Sequence, residues 1–286
     1  MKINTILFLT DFSGNAANAF YYTLNFAKKV KASITVLHTY HLPIVGVPIV
    51  GAEVPLDSIE RQIEFSERIE KEHIEDLLKQ AKLLAPDVIC AYLIKEGSVT
   101  SSISEIIKNE NIDIIFMGTK GAGKLASILF GTVTGKVIEK ASCPVFIVPD
   151  HASYSPLKNI LYGSDYEKSD FSVLNNIADL AEIFDGEITI ANVCDQEDNI
   201  GNVLLERFEI LVRKNISFQN LKFISIIDKD VVHAIDQYAE EKNIDLIVMN
   251  SHKRTLFQKI YDRSLTKKLS YQTHIPLLAY HTNGIG

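Results

Sequence analysis

Residues 111–118, Asn111-Ile112-Asp113-Ile114-Ile115-Phe116-Met117-Gly118, return almost unchanged as residues 243–250, Asn243-Ile244-Asp245-Leu246-Ile247-Val248-Met249-Asn250. Each is a polar lead-in, an aspartate and an unbroken apolar run. That pattern suits a strand covered on both faces better than one with a single wet face. Working outward, TILFLTD at 5–11 returns as NILYGSD at 159–165, and SCPVFIVP at 142–149 returns as THIPLLAYH at 273–281. Asp11 then aligns with Asp165, Asp113 with Asp245 and Pro144 with Pro276. Shared segments in the same order mark a duplication, one unit written twice. Asp11 and Asp113 lie farther apart than Asp165 and Asp245, so the second copy is shortened in its middle.

Apolar runs rich in Ile, Val, Leu and Phe predict strands at 5–10, 33–39, 88–94, 113–117 and 144–148. In the second copy they predict strands at 158–163, 187–193, 222–227, 245–249 and 276–280. Helical spacing of Ile and Leu appears between them at 58–84, 98–109 and 230–242. Strand–helix alternation predicts parallel βαβ units with right-handed crossovers. The expected fold class is α/β: two doubly wound, five-stranded domains, 1–149 and 157–286. The Pro- and Ser-containing stretch 149–157 is read as the linker.

Composition narrows the function classes. A chain of 286 residues with 47% hydrophobic and 23% charged residues is ordinary for globular domains. A net charge of -7 is unsuited to coating nucleic acid or an anionic membrane. No stretch reaches the ~18 apolar residues of a membrane helix, and Asp11 interrupts the first apolar run too early for a signal peptide. Cys90, Cys143 and Cys194 are far apart and match no zinc or CxxC spacing. They are expected to be reduced, which fits a cytoplasmic location.

Candidate chemistry collects at the carboxyl ends of the strands, where open parallel sheets bind ligands. Thr10 and Asp11 follow the first strand, and His38-Thr39 ends the second. Met117-Gly118-Thr119-Lys120-Gly121 follows the fourth, with Phe130-Gly131-Thr132-Val133-Thr134 ahead. Gly118 and Gly121 let the backbone turn and approach a ligand closely. Gly131-Thr132 opens a helix at 131–140, whose free N–H groups and dipole favour an anion. Thr132 and Thr134 add hydroxyl donors, and Asp11 suits ribose hydroxyls or an exocyclic amine. Blander readings stand beside these: glycine turns, Asp11 or Thr132 as helix caps, Lys120 and Lys124 as solvated charges.

The spacing Gly118-x2-Gly121-x9-Gly131-Thr132 resembles the nucleotide motif of the universal stress protein family, G-x2-G-x9-G-[ST]. Thr10-Asp11-Phe12-Ser13 and Ser142-Cys143-Pro144-Val145 resemble that family too, and the likeness spans nearly the whole chain. The resemblance implies a tandem protein with strand order 3-2-1-4-5 in each domain. It implies ATP, ADP or AMP, with or without Mg²⁺: adenine near Asp11 and Thr39, and phosphates on Gly118, Gly121, Gly131, Thr132, Val133 and Thr134. It also implies association through the last strands, here an intrachain pseudo-dimer, with a homodimer left open.

The second copy departs from the motif. It carries Asn250, Lys253 and Arg263 where the first has its glycines, with Asp262 placed to cap the helix. It is therefore expected not to bind ATP. The competing reading is a basic pocket of Lys253, Arg254, Lys259 and Arg263 for another anion. The apolar segment 42–56, extra in the first copy, is read as a packed loop, a flap or a subunit contact. Histidines show no metal spacing and are read as structural or solvent-exposed. With no Walker, kinase or synthetase motif, a regulatory ATP-binding stress protein acting on an unidentified protein partner is favoured. A slow ATPase and a scaffold with a vestigial motif are the alternatives.

Overall fold

The computed structural model describes residues 2–41, 56–119, 132–196, 199–250 and 274–280. The segment 42–55, Lys120, Gly121, Lys124, Gly131 and the second-copy residues 251–273 lie outside them. The first half runs β1 (Thr5–Thr10), α1 (Gly14–Val30), β2 (Ser33–Tyr40), α2 (Leu56–Leu84), β3 (Cys90–Glu96), α3 (Val99–Asn109), β4 (Ile114–Gly118), α4 (Thr132–Lys140) and β5 (Val145–Val148). The second repeats it as β6 (Asn159–Gly163), α5 (Lys168–Phe184), β7 (Glu187–Cys194), α6 (Asn199–Asn215), β8 (Leu221–Ile227), α7 (Val231–Glu241), β9 (Leu246–Asn250) and β10 (Leu277–Tyr280).

The strands join into one sheet ordered β3-β2-β1-β4-β5-β10-β9-β6-β7-β8. Each half has the order 3-2-1-4-5. Among the described residues every strand pairing is parallel except the central one, where β5 meets β10 antiparallel with Ile147 opposite Leu277 and Val145 opposite Ala279. The strand order therefore reads the same from either edge.

Side-chain alternation builds two core layers. Ile6, Phe8, Ile114, Phe116, Phe146 and Leu278 face helices α1, α2, α5 and α6. Leu7, Leu9, Ile115, Met117, Ile147 and Leu277 face α3, α4 and α7. Helices on both faces explain why the central runs carry no polar alternation. The edge strands differ: β3 and β8 keep several side chains exposed, and among the described strands each has a neighbour on one side only. The expectation of two covered faces fails there for that reason.

The aspartate of the repeated motif has one role in both halves. Asp113 Oδ2 accepts hydrogen bonds from the amides of Asn4 and Thr5, and Asp245 Oδ2 from those of Lys158 and Asn159. Each ties the start of a fourth strand to the start of a first. The stretch 149–157 is held by both halves. Asn18 Nδ2 donates to the carbonyls of Pro149 and Ala152, Ser155 donates to Asp245, and Leu157 is fully buried.

Candidate functional site

Parallel pairing on both sides of β1 sets the site. β1 pairs β2 on one side and β4 on the other, so the chain order switches direction between β1 and β4. Phe8 stands opposite Phe116. Two residues on, Thr10 and Gly118 close their strands level with each other. Thr39 lies one strand over, paired with Lys95. Thus Thr10, Asp11, Met117 and Gly118 lie at the carboxyl ends of neighbouring strands, with Thr39 on the strand beside them.

The turn out of β1 is tightly specified. The Thr10 hydroxyl accepts the Phe12 amide at 3.0 Å, and Asp11 Oδ1 accepts the Ser13 amide at 3.1 Å. Ser13, not Asp11, caps α1, accepting from the Ala16 amide. The cap alternative for Asp11 is thereby replaced by a turn-closing role.

Phe12 adopts φ 57, a left-handed conformation that bulky residues avoid. The second half repeats the arrangement. Tyr166 has φ 62, and its amide donates to the Ser164 hydroxyl at 3.0 Å. Strain of this kind, of order 1–3 kcal/mol, persists only where surroundings impose it. Here a strand-end hydroxyl and aromatic packing on His38 or Phe208 impose it.

Gly118 has a different reason from a sharp turn. It is the last strand residue, paired with Val148, and its φ is not in the left-handed region. A Cβ there would meet the Asn15 carbonyl oxygen at 3.4 Å and the Ala16 nitrogen at 3.8 Å. Glycine lets the start of α1 close on the end of β4, the kind of approach that narrows a crevice.

Beyond β4, Thr119 donates its hydroxyl to Asp150 at 2.8 Å. α4 begins at Thr132, whose helical first-turn amides lack intrahelical partners by geometry. Val133 is exposed. Thr134 is buried, and its hydroxyl points to the Thr119 carbonyl at 3.4 Å, holding α4 to the end of β4. Gly121 and Gly131 lie outside the described residues.

Two groups escape a reading of motifs alone. Buried His38 bonds the Thr10 carbonyl through Nδ1 at 2.9 Å and faces Glu70 of α2 through Nε2 at 3.1 Å. In the second half, buried Asp170 accepts from Tyr162, Ser164 and the Glu167 amide. Ala16 occupies the place of Asp170 in the first half, so the two halves differ at the start of the first helix. The alignment of Phe8 with Tyr162 was the available signal. Among the described residues no group of three or more His, Cys, Asp or Glu could hold a metal ion. No described helix is long and apolar enough to cross a membrane.

The family model described as "Universal stress protein family" matches residues 2–149 and 221–281. A universal stress protein of Methanocaldococcus jannaschii is 30% identical over 146 residues, 50% of this chain and 80% of that protein. One of Synechocystis is 34% identical over 102 residues, 36% of this chain and 93% of that protein. A solved universal stress protein from Archaeoglobus fulgidus superposes with TM-score 0.67 at 19% identity, covering 98% of this chain and 99% of its own; that likeness speaks to the fold. With matches in both halves and the doubled strand order, the chain belongs to the universal stress protein family as a tandem member.

Proposed function

We propose that the first half binds an adenine nucleotide, ATP foremost, and that the protein is a regulator whose surface responds to that nucleotide. The observation that carries this reading is the level ending of β1 and β4. What supports the reading is that Thr10-Asp11 and Met117-Gly118 follow neighbouring strands at the point where the strand order reverses, with the α4 N-terminus next in the chain. Asp11 would take the ribose or base end with Thr39. The backbone at Gly118, Gly121, Gly131, Thr132 and Val133 would take the phosphates, with Thr134 supporting α4. The second half, lacking the glycines, would leave nucleotide unbound. The folding units proposed are 1–149 and 157–286, joined as a pseudo-dimer through β5 and β10.

Calorimetric titration of the full chain with ATP, ADP and AMP, with and without Mg²⁺, tests the reading. One site per chain is expected, weakened at least tenfold in Asp11→Ala, the scale of a lost charge-assisted hydrogen bond of about 1.4 kcal/mol or more. Heat at two sites, or none, contradicts it.

A further inference from the structure

The first half carries a titratable contact that its duplicate lacks. Both ring nitrogens of His38 face acceptors: Nδ1 the Thr10 carbonyl at 2.9 Å, Nε2 the Glu70 carboxylate at 3.1 Å. A neutral imidazole has one N–H and can satisfy one of them; the imidazolium satisfies both. At the matching place in the second half, Asn192 Nδ2 donates to the Ser164 carbonyl at 2.8 Å. An amide therefore suffices to hold the strand ends together. The first half uses an imidazole, which can take up a proton, and aims its second nitrogen at α2.

We propose that His38 and Glu70 form a proton-operated latch on the first-half crevice: protonated, His38 ties α2 to the exit of β1 beside Asp11; deprotonated, it lets α2 go. This rests on the nucleotide reading of that crevice. The surrounding groups fit a latch. From α2, His73 lies 3.8 Å from Glu70, and Glu67 accepts the Tyr40 hydroxyl at 3.1 Å. From β2 and β3 come Tyr40 and Glu96, paired across the strands. From the β1 exit come Asp11 and Phe12, whose ring lies 4.5 Å from His38 and 5.1 Å from His73. Of these, Glu70 is the carboxylate in direct contact with His38. The latch needs Glu70 ionised and His38 charged, so it is shut on the acid side and opens as His38 loses its proton. The Thr10 bond stays in both states; shut, the latch adds α2 to it, held beside the Asp11 turn. The nucleotide then meets a crevice already ordered.

The test measures ATP affinity of the full chain at about pH 6 and pH 8 for wild type, His38→Asn and Glu70→Gln. The ionisation of ATP itself is common to all and drops out of the variant-to-wild-type ratio. His38→Asn keeps the bond to Thr10, as Asn192 does in the second half, and loses the charge. The Kd ratio is expected to be about five at the lower pH, an ordinary coupling between sites, and near one at the higher. His73→Gln is expected to keep the wild-type pH response. Hydrogen exchange of α2 around Glu70 without nucleotide, corrected for intrinsic rates, should show pH-dependent protection in wild type and none in His38→Asn. ATP binding with the same ratio at both pH values overturns the latch and leaves the nucleotide reading standing. No ATP binding at either pH overturns the nucleotide reading, and the latch's control of it falls too. The exchange data then show whether the contact itself moves α2.

Discussion

Asp113 holds Asn4 across the sheet: carboxylate Oδ2 lies 2.7 Å from the Asn4 amide nitrogen and also takes the Thr5 amide. Removing it strands two strand-end amides at a partly wet site. Asp113→Ala is expected to lower stability by about 1–2 kcal/mol, read from urea unfolding. Asp245→Ala should cost at least as much, since Asp245 also binds Ser155. An unchanged midpoint for both would show that the repeated aspartate has no structural role.

Phe26 knits the centre of the molecule. Its fully buried ring lies 4.9 Å from Phe116, 5.6 Å from Phe146 and 5.9 Å from Phe184 of α5. Phe26→Ala should destabilise by about 3–5 kcal/mol, the usual cost of a large cavity in a core. Because Phe184 belongs to the second half, calorimetry should show both halves weakened, not one.

Asp228 carries a pH signature. Its carboxyl is held below the ordinary range, first by the Asp230 amide and then by the His233 ring 2.8 Å away. A depressed carboxylate contributes stability above its unfolded pKa of about 3.9 and loses it as pH falls through the lower folded value. Asp228→Asn should therefore flatten the stability curve below about pH 4. A curve that superposes on wild type there would contradict this.

Thiol reactivity should be low in the native chain. Burial, aided by the charge of Asp113, pushes Cys143 up to about 12, and burial alone pushes Cys90 to about 11. The nucleophile is the thiolate, on the order of one molecule in ten thousand for Cys143 at pH 8. Iodoacetamide should alkylate both slowly in buffer and quickly in urea, as read by mass spectrometry. Fast native labelling of Cys143 would contradict its burial.

Much of this was legible in the sequence because apolar runs report burial directly. The ten strands fall within two residues of where those runs place them, and the repeated aspartates recur with the same partners. Edge strands β3 and β8 were less legible, since an apolar run does not say where in the sheet it lies. Thr10 and Gly118 end neighbouring strands level with each other. The reasons differ in detail: Ser13 takes the cap, and Gly118 makes room for α1 instead of turning. Phe12 and Tyr166 at positive φ could not be foreseen, because local preference argues against them and only tertiary packing imposes them. His38 was placed at the ligand end of its strand, but its contact with Glu70 was not legible, because Glu70 reaches it from a helix far along the chain.

The most direct measurement identifies what the purified protein carries. The chain is denatured, and the released small molecules are identified and counted by mass, beside a Gly118→Asp, Gly131→Arg variant that copies the second half at Gly131. The account predicts about one adenine nucleotide per wild-type chain, and none on a variant that still melts cooperatively. A wild-type chain that carries no nucleotide, and whose melting temperature ATP does not raise, would contradict it.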